Sequence, residues 1–167
     1  MGSYSYGKEE VVNYIKSVFP KGSTCLDVGA CDGKYFDLLG DYLKMDGVEI
    51  FQPNIDNHRL REKYNKVFCC DIADFIYDYY DLIIFGDVIE HLKVEKAQKV
   101  LKYAYPRCKD MIIAVPWLYT QGEIYGNPYE KHIQNDLTLE VFRKRYGEFT
   151  PIFINNEYAY FRKGKND

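Results

Sequence analysis

Four residues of this chain have side chains and spacing suited to chemistry: Asp87, Glu90, His91 and His132. Glu90 and His91 follow Asp87 by three and four positions, so one turn of helix would bring these three together. Two carboxylates and two imidazoles are a ligand set for magnesium, manganese or zinc, and the four form a candidate metal site. Histidine is also the usual proton acceptor near neutral pH. The chain has three histidines, His58, His91 and His132. His58 falls on an expected surface helix, which leaves His91 and His132 as candidate catalytic bases.

A second stretch, CLDVGACDGKY at 25–35, is a strand running into a glycine-spaced turn. A phosphate cradle of the GxxxxGK[ST] kind needs Ser or Thr after its lysine, but Tyr35 follows Lys34. A dinucleotide fingerprint needs glycines where Cys31 and Lys34 stand. Instead, Asp27 and Asp32 flank the turn, and they would repel a pyrophosphate and favour a cation. Glu49 lies 20 positions after Gly29, where a carboxylate can hold ribose hydroxyls. A ligand with a ribose, a positive charge and no phosphate fits S-adenosylmethionine. Lys34 is read as a solvated helix residue.

The elements that must position these residues alternate. Helical spacing marks 8–19, 33–43, 53–63, 94–105 and 137–147. Short apolar runs mark strands at 23–29, 46–50, 66–71, 80–87 and 111–117, with two more around the turn pair Asn155-Asn156. The unbroken run Leu82, Ile83, Ile84 and Phe85 suits a central strand covered on both faces. The expected fold is therefore α/β: a three-layer α/β/α doubly wound, seven-stranded, mostly parallel sheet with a C-terminal antiparallel hairpin. No repeat or linker divides it, so residues 1–167 are read as a single domain. The 118–136 loop is long enough to bind a substrate and brings Tyr119, Tyr125, Tyr129 and His132 to the same end of the sheet.

Bulk composition narrows the setting. The formal charge of −3 gives no push toward nucleic acid or anionic membrane, although a local basic patch would leave RNA open. There is no apolar run long enough to cross a bilayer, and the start MGSYSYGKEEVV lacks the pattern of a secretory signal. Five cysteines without a CxxC pair fit a soluble protein in a reducing cytoplasm.

Four segments in order, LDVGACDG, GVEI, CCDIADF and YDLIIFGDVIEHL, resemble the class I S-adenosylmethionine-dependent methyltransferases. The last is similar to the motif of their small-molecule branch. Agreement in order and spacing extends over residues 10–117. The family usually has glycine where Cys31 stands. The resemblance implies that Asp27, Gly29, Ala30 and Gly33 shape the pocket and hold the methionine end. It gives the ribose to Glu49, the faces of adenine to Ile50 and Phe51, and the adenine edge to Asp71 and Ile72. Asp87 would lie near the methionine moiety and the acceptor. The Glu-His pair with a later histidine is similar to metal-assisted O-methyltransferases, including those acting on ribose at small-RNA 3′ ends, which have glutamate where this chain has Asp87.

The expected activity is O-methylation of a small hydroxyl-bearing molecule: a sugar, a phenol or a glycan intermediate. The alternatives are a metal-assisted RNA ribose 2′-O-methyltransferase and a non-catalytic cofactor-binding module. With no inserted substrate domain, the acceptor site must come from the N-terminal helix, the 118–136 loop and, in a homodimer, a second subunit.

Overall fold

The computed structural model describes residues 6–165. Residues 1–5, part of the stretch read as lacking a secretory signal, lie outside the described residues. Seven strands form one sheet in the order β3-β2-β1-β4-β5-β7-β6. In chain order they are β1 (Thr24–Val28), β2 (Lys44–Glu49), β3 (Val67–Cys69), β4 (Tyr80–Gly86), β5 (Cys108–Pro116), β6 (Thr150–Ile154) and β7 (Tyr158–Gly164). β1 to β5 pair in parallel, while β7 runs antiparallel to both β5 and β6. The helices are α1 (Lys8–Val18), α2 (Lys34–Leu39), α3 (Gln52–Asn57), α4 (Leu60–Lys63), α5 (Val94–Ala104) and α6 (Leu139–Tyr146). This is the α/β fold class expected from the alternation of elements.

The run in β4 explains the three layers. Leu82 and Ile84 pack on one face with Val11 and Ile15 of α1 and Leu39 of α2. Ile83 and Phe85 pack on the other with Val100 and Leu101 of α5 and Phe142 of α6. All four β4 side chains are fully buried, each worth about 1.5–3 kcal/mol relative to exposure. Period-2 alternation sends neighbours to opposite faces, so a strand covered twice must be apolar throughout.

Register sets where the site forms. Val28 pairs with Val48 on one side and with Phe85 on the other, so β1, β2 and β4 end level. Strand order reverses between β1 and β4, and the crevice outside their carboxyl ends is where such sheets bind ligands. Gly86, the last residue of β4, makes the close approach possible: a Cβ there would lie 2.2 Å from the Tyr35 ring.

Two helices depart from expectation. The 33–43 helix stops at Gly40, and the chain enters β2 at Lys44. The 53–63 helix is broken into α3 and α4, because Arg59 takes a left-handed conformation with φ of 53°. At the end of β5, Trp117 donates its indole N–H to the Asn155 carbonyl at 3.1 Å and packs edge-on against Phe161.

Candidate functional site

The carboxyl edge of the sheet opens into a cavity of about 480 Å³. The turn after β1 forms its floor. Gly29, at φ 74°, and Ala30 both donate backbone N–H groups to the Val48 carbonyl, at 2.8 and 3.1 Å. Cys31 keeps the left-handed conformation that a glycine would adopt, at φ 45°. Its thiol sits 3.8 Å from Asn54 Nδ2, and burial pushes it up to about 12, so it stays protonated and unreactive.

Glu49 is held rigidly beside this turn. One carboxylate oxygen accepts the Cys31 N–H at 2.8 Å and the other the Phe51 N–H at 2.7 Å. Only 4% of the residue is exposed, and burial raises its pKa despite these N–H donors. Each oxygen keeps lone-pair capacity for a hydroxyl. Ile50, Asp71 and Ile72 line the same end of the cavity. Asp71 accepts the Ala73 N–H at 2.9 Å and the Lys96 ammonium at 2.5 Å. Burial works against its charge, but those donors outweigh it and hold the carboxyl below its ordinary value.

Several expected residues stand behind the wall. Asp27, Gly33 and Phe51 do not line the cavity, whereas Lys34 does and is half-buried. The expectation of a solvated Lys34 is thus corrected: α2 begins at this residue, so its side chain leaves the turn beside the ligand space. Asp27 is fully buried, accepts the Tyr64 hydroxyl at 2.5 Å and leaves its Oδ1 without a partner. Burial pushes it up to about 7, although Tyr64 and Lys8 oppose the shift.

Asp87 occupies a left-handed position directly after β4, with φ 56°. Tyr158 donates to its Oδ1 at 2.5 Å, while Oδ2 is buried without a partner among the described residues. Sequence reasoning missed Tyr158, and Tyr35 and Tyr160, whose hydroxyls meet at 2.9 Å behind it. The alternation of Tyr158 and Tyr160 along β7 was the available signal, but only the pairing of β7 with β5 brings them beneath this cavity.

Beyond Asp87, a single 3₁₀ turn over Ile89–His91 presents Glu90 and His91. Among the described residues, Glu90, His91 and His132 have potential ligand atoms all within 4.8 Å of one another. Asp87 is not in that group; its carboxylate turns toward Tyr158. Glu90 is fully buried, and neither of its carboxylate oxygens has a partner among the described residues. Burial, reinforced by the neighbouring Asp87, raises its pKa well above the ordinary carboxyl value. His91 Nδ1 meets the Lys131 carbonyl at 3.2 Å, and His132 Nδ1 meets the Tyr119 carbonyl at 2.9 Å. A carbonyl can only accept, so both Nδ1 atoms carry the hydrogen and both Nε2 atoms carry the lone pair. Burial lowers both imidazoles, His91 to about 4, so both are neutral at pH 7. Neutral imidazoles oriented by backbone carbonyls and a buried acid without hydrogen-bond partners match the donor set of a divalent cation. His58 is exposed and remote from this group.

Comparison with known proteins places this geometry. A family model described as a methyltransferase domain matches residues 26–109. No curated protein sequence matches the chain. Among solved structures, an S-adenosylmethionine-dependent methyltransferase from Clostridium acetobutylicum ATCC 824 superposes with a TM-score of 0.71 at 13% identity, covering 96% of this chain and 91% of that one. Magnesium protoporphyrin IX methyltransferase from Synechocystis PCC 6803, with its S-adenosylmethionine bound, gives 0.63 at 14% identity over 93% and 76%. The methyltransferase domain of bacterial CtHen1-CN gives 0.65 at 20% identity over 93% and 97%. At these identities the likeness is one of fold.

Proposed function

This chain belongs to the class I S-adenosylmethionine-dependent methyltransferases, and from that premise we propose that it O-methylates a small hydroxyl-bearing molecule, a sugar, phenol or glycan intermediate, beside Glu90, His91 and His132. We take the whole chain as one such domain acting in the cytoplasm, a setting that suits five free cysteines among the described residues.

The bound donor supplies a methyl group already activated on a sulfonium. The protein's work is therefore alignment, charge matching and removal of the acceptor proton. In this reading Gly29 and Ala30 form the floor, Glu49 takes the ribose hydroxyls, and Ile50, Asp71 and Ile72 enclose adenine. Asp87 faces the methionine end, with Tyr158 fixing its carboxylate. Asp27 supports the turn from below through Tyr64.

His91 and His132 have two available roles, as bases or as ligands. An imidazole lowered to about 4 is a weak proton acceptor at neutral pH, which favours the ligand role for His91. A cation held by Glu90, His91 and His132 would lower the pKa of an acceptor hydroxyl. The observation that carries this reading is Glu90, fully buried with both oxygens unpartnered among the described residues, beside two neutral imidazoles.

The test is manganese(II) titration followed by electron paramagnetic resonance, alongside methyl transfer to a panel of hydroxyl compounds. Outer-shell changes alone cost about 10–100-fold in metal affinity, so Glu90→Gln should cost at least that, with matching loss of transfer. Wild-type turnover that neither gains from added metal nor falls with a chelator would remove the metal from the reading.

A second reading, ribose methylation on RNA, is favoured by one feature. Lys93 and Lys96 line the cavity, and Lys99 continues that row in an adjoining hollow.

A further inference from the structure

The loop that carries His132 also crosses the donor cleft. It leaves the sheet after β5, yet the Tyr129 ring lies 6.4 Å from that of Phe51, just beyond β2. Glu130 Oε1 lies 4.0 Å from the Cys31 thiol, just beyond β1. The sheet order β2-β1-β4-β5 puts three strand spacings between β5 and β2. At ~4.8 Å per spacing, the segment reaches across about 14 Å of cavity mouth.

The two ends of this crossing are held very differently. Behind His132 the fastening is firm: Ile133 and Gln134 donate backbone N–H groups to the Glu90 carbonyl at 2.8 and 2.9 Å. The Gln134 side chain adds bonds to the Ile89 and Leu92 carbonyls at 2.7 and 2.9 Å. Among the described residues, the forward part meets the far side of the cleft through an edge-on ring contact and a weak thiol contact, while nearer its base the Lys131 carbonyl meets His91 Nδ1 at 3.2 Å. Its turn, around Gly122, Tyr125 and Gly126, is exposed. Leu118, Tyr125 and Gly126 all have positive φ, so the chain changes direction sharply at both ends of the forward part.

We propose that residues 119–132 form a strap over the methyl donor, anchored at Ile133 and Gln134, and that a divalent cation at Glu90, His91 and His132 pins the strap shut, so that cation and donor tighten each other's binding. The inference rests on the metal site proposed above. Glu90 and His91 belong to the base of the site, whereas His132 belongs to the strap, tied to it through the Tyr119 carbonyl and through its own N–H to Gln121. Lifting the strap withdraws one ligand of three, His132, and takes away the Lys131 carbonyl that orients a second, His91. The cation therefore binds best when the strap is down, and a nucleoside-bearing ligand beneath is then slow to leave. Linkage makes the effect reciprocal for the two affinities.

The experiment uses manganese(II) and S-adenosylhomocysteine, which prevents turnover. Manganese should tighten S-adenosylhomocysteine about tenfold, chiefly by slowing its release, and S-adenosylhomocysteine should tighten manganese by the same factor. Tyr129→Ala removes the strap's contact with Phe51 but leaves all three ligands in place, and the ring it removes is 50% exposed, so folding should survive. That variant should still bind manganese, more weakly than wild type only by the share of closure that Tyr129 supplies, and lose most of the mutual tightening. Manganese binding with unchanged S-adenosylhomocysteine release would overturn the strap and leave the metal site standing. Equal tightening in wild type and Tyr129→Ala would assign the effect to the cation's charge and also overturn the strap. A protein that binds no manganese would overturn both.

Discussion

Asp27 shows how much one buried side chain can tie a fold's stability to pH. Its carboxyl is buried beneath the glycine turn and faces the Tyr64 hydroxyl, the Lys8 ammonium and the carboxylates of Glu49 and Asp32. Burial dominates and moves its pKa from an ordinary 3.8 to about 7. The folded protein therefore holds this proton more tightly than the unfolded chain. The resulting stability is complete below about pH 4 and is lost as pH rises through about 7. Asp27→Asn should flatten the stability profile over that window, removing a slope worth at most about 4 kcal/mol. Urea unfolding at pH 5 and pH 8 measures it, and an unchanged slope in the variant would assign the titration to another group. His91 acts in the opposite sense, because lowering its pKa from 6.5 to about 4 costs stability as pH falls through that range.

At the scale of elements, the junction of β4 and α2 is the tightest packing near the site. Gly86→Ala would drive a methyl into the Tyr35 ring, whose hydroxyl meets that of Tyr160. Overpacking of this kind costs about 1–3 kcal/mol. Thermal unfolding should show the loss, and restored stability in Gly86→Ala/Tyr35→Phe would trace part of the strain to the tyrosine hydroxyl. Elements were legible in the sequence where one local pattern dominated. The β4 run showed its double burial, and the glycine spacing marked the turn after β1. The break at Arg59 was not legible, because a left-handed arginine has no composition signature. The Asp87–Tyr158 bond was hidden for another reason: it spans 71 positions and depends on how β7 pairs with β5. The meeting of His91 with His132 was only half legible. Their residue types pointed to chemistry, but the carbonyls that fix both Nδ1 atoms belong to the long loop, whose path has no periodicity.

At the scale of the whole molecule, charge is sorted by place. The net charge is only −3, yet Asp27, Asp32, Glu49, Asp87, Glu90 and Glu130 gather in and beneath the carboxyl edge. Lys93, Lys96 and Lys99 run away from that edge along α5. This separation gives a test between acceptor classes. Three lysines neutralising phosphates on a single strand predict a log–log salt slope of about −2 for oligoribonucleotide binding. The small-molecule reading expects no such binding, and a slope near −2 that disappears when the three lysines become glutamine would move the assignment to RNA.

The position of Trp117 has a practical consequence. It is the chain's single tryptophan, its indole is anchored to Asn155 across the β6–β7 turn, and the next residue is Leu118, which turns the chain at φ 48° just before the proposed strap. The protein therefore carries its own fluorophore, one residue from the pivot and fixed to the rigid side of it. Excited at wavelengths beyond tyrosine absorption, emission arises from this one indole, so closure of the proposed strap can be timed optically in the unlabelled wild-type chain.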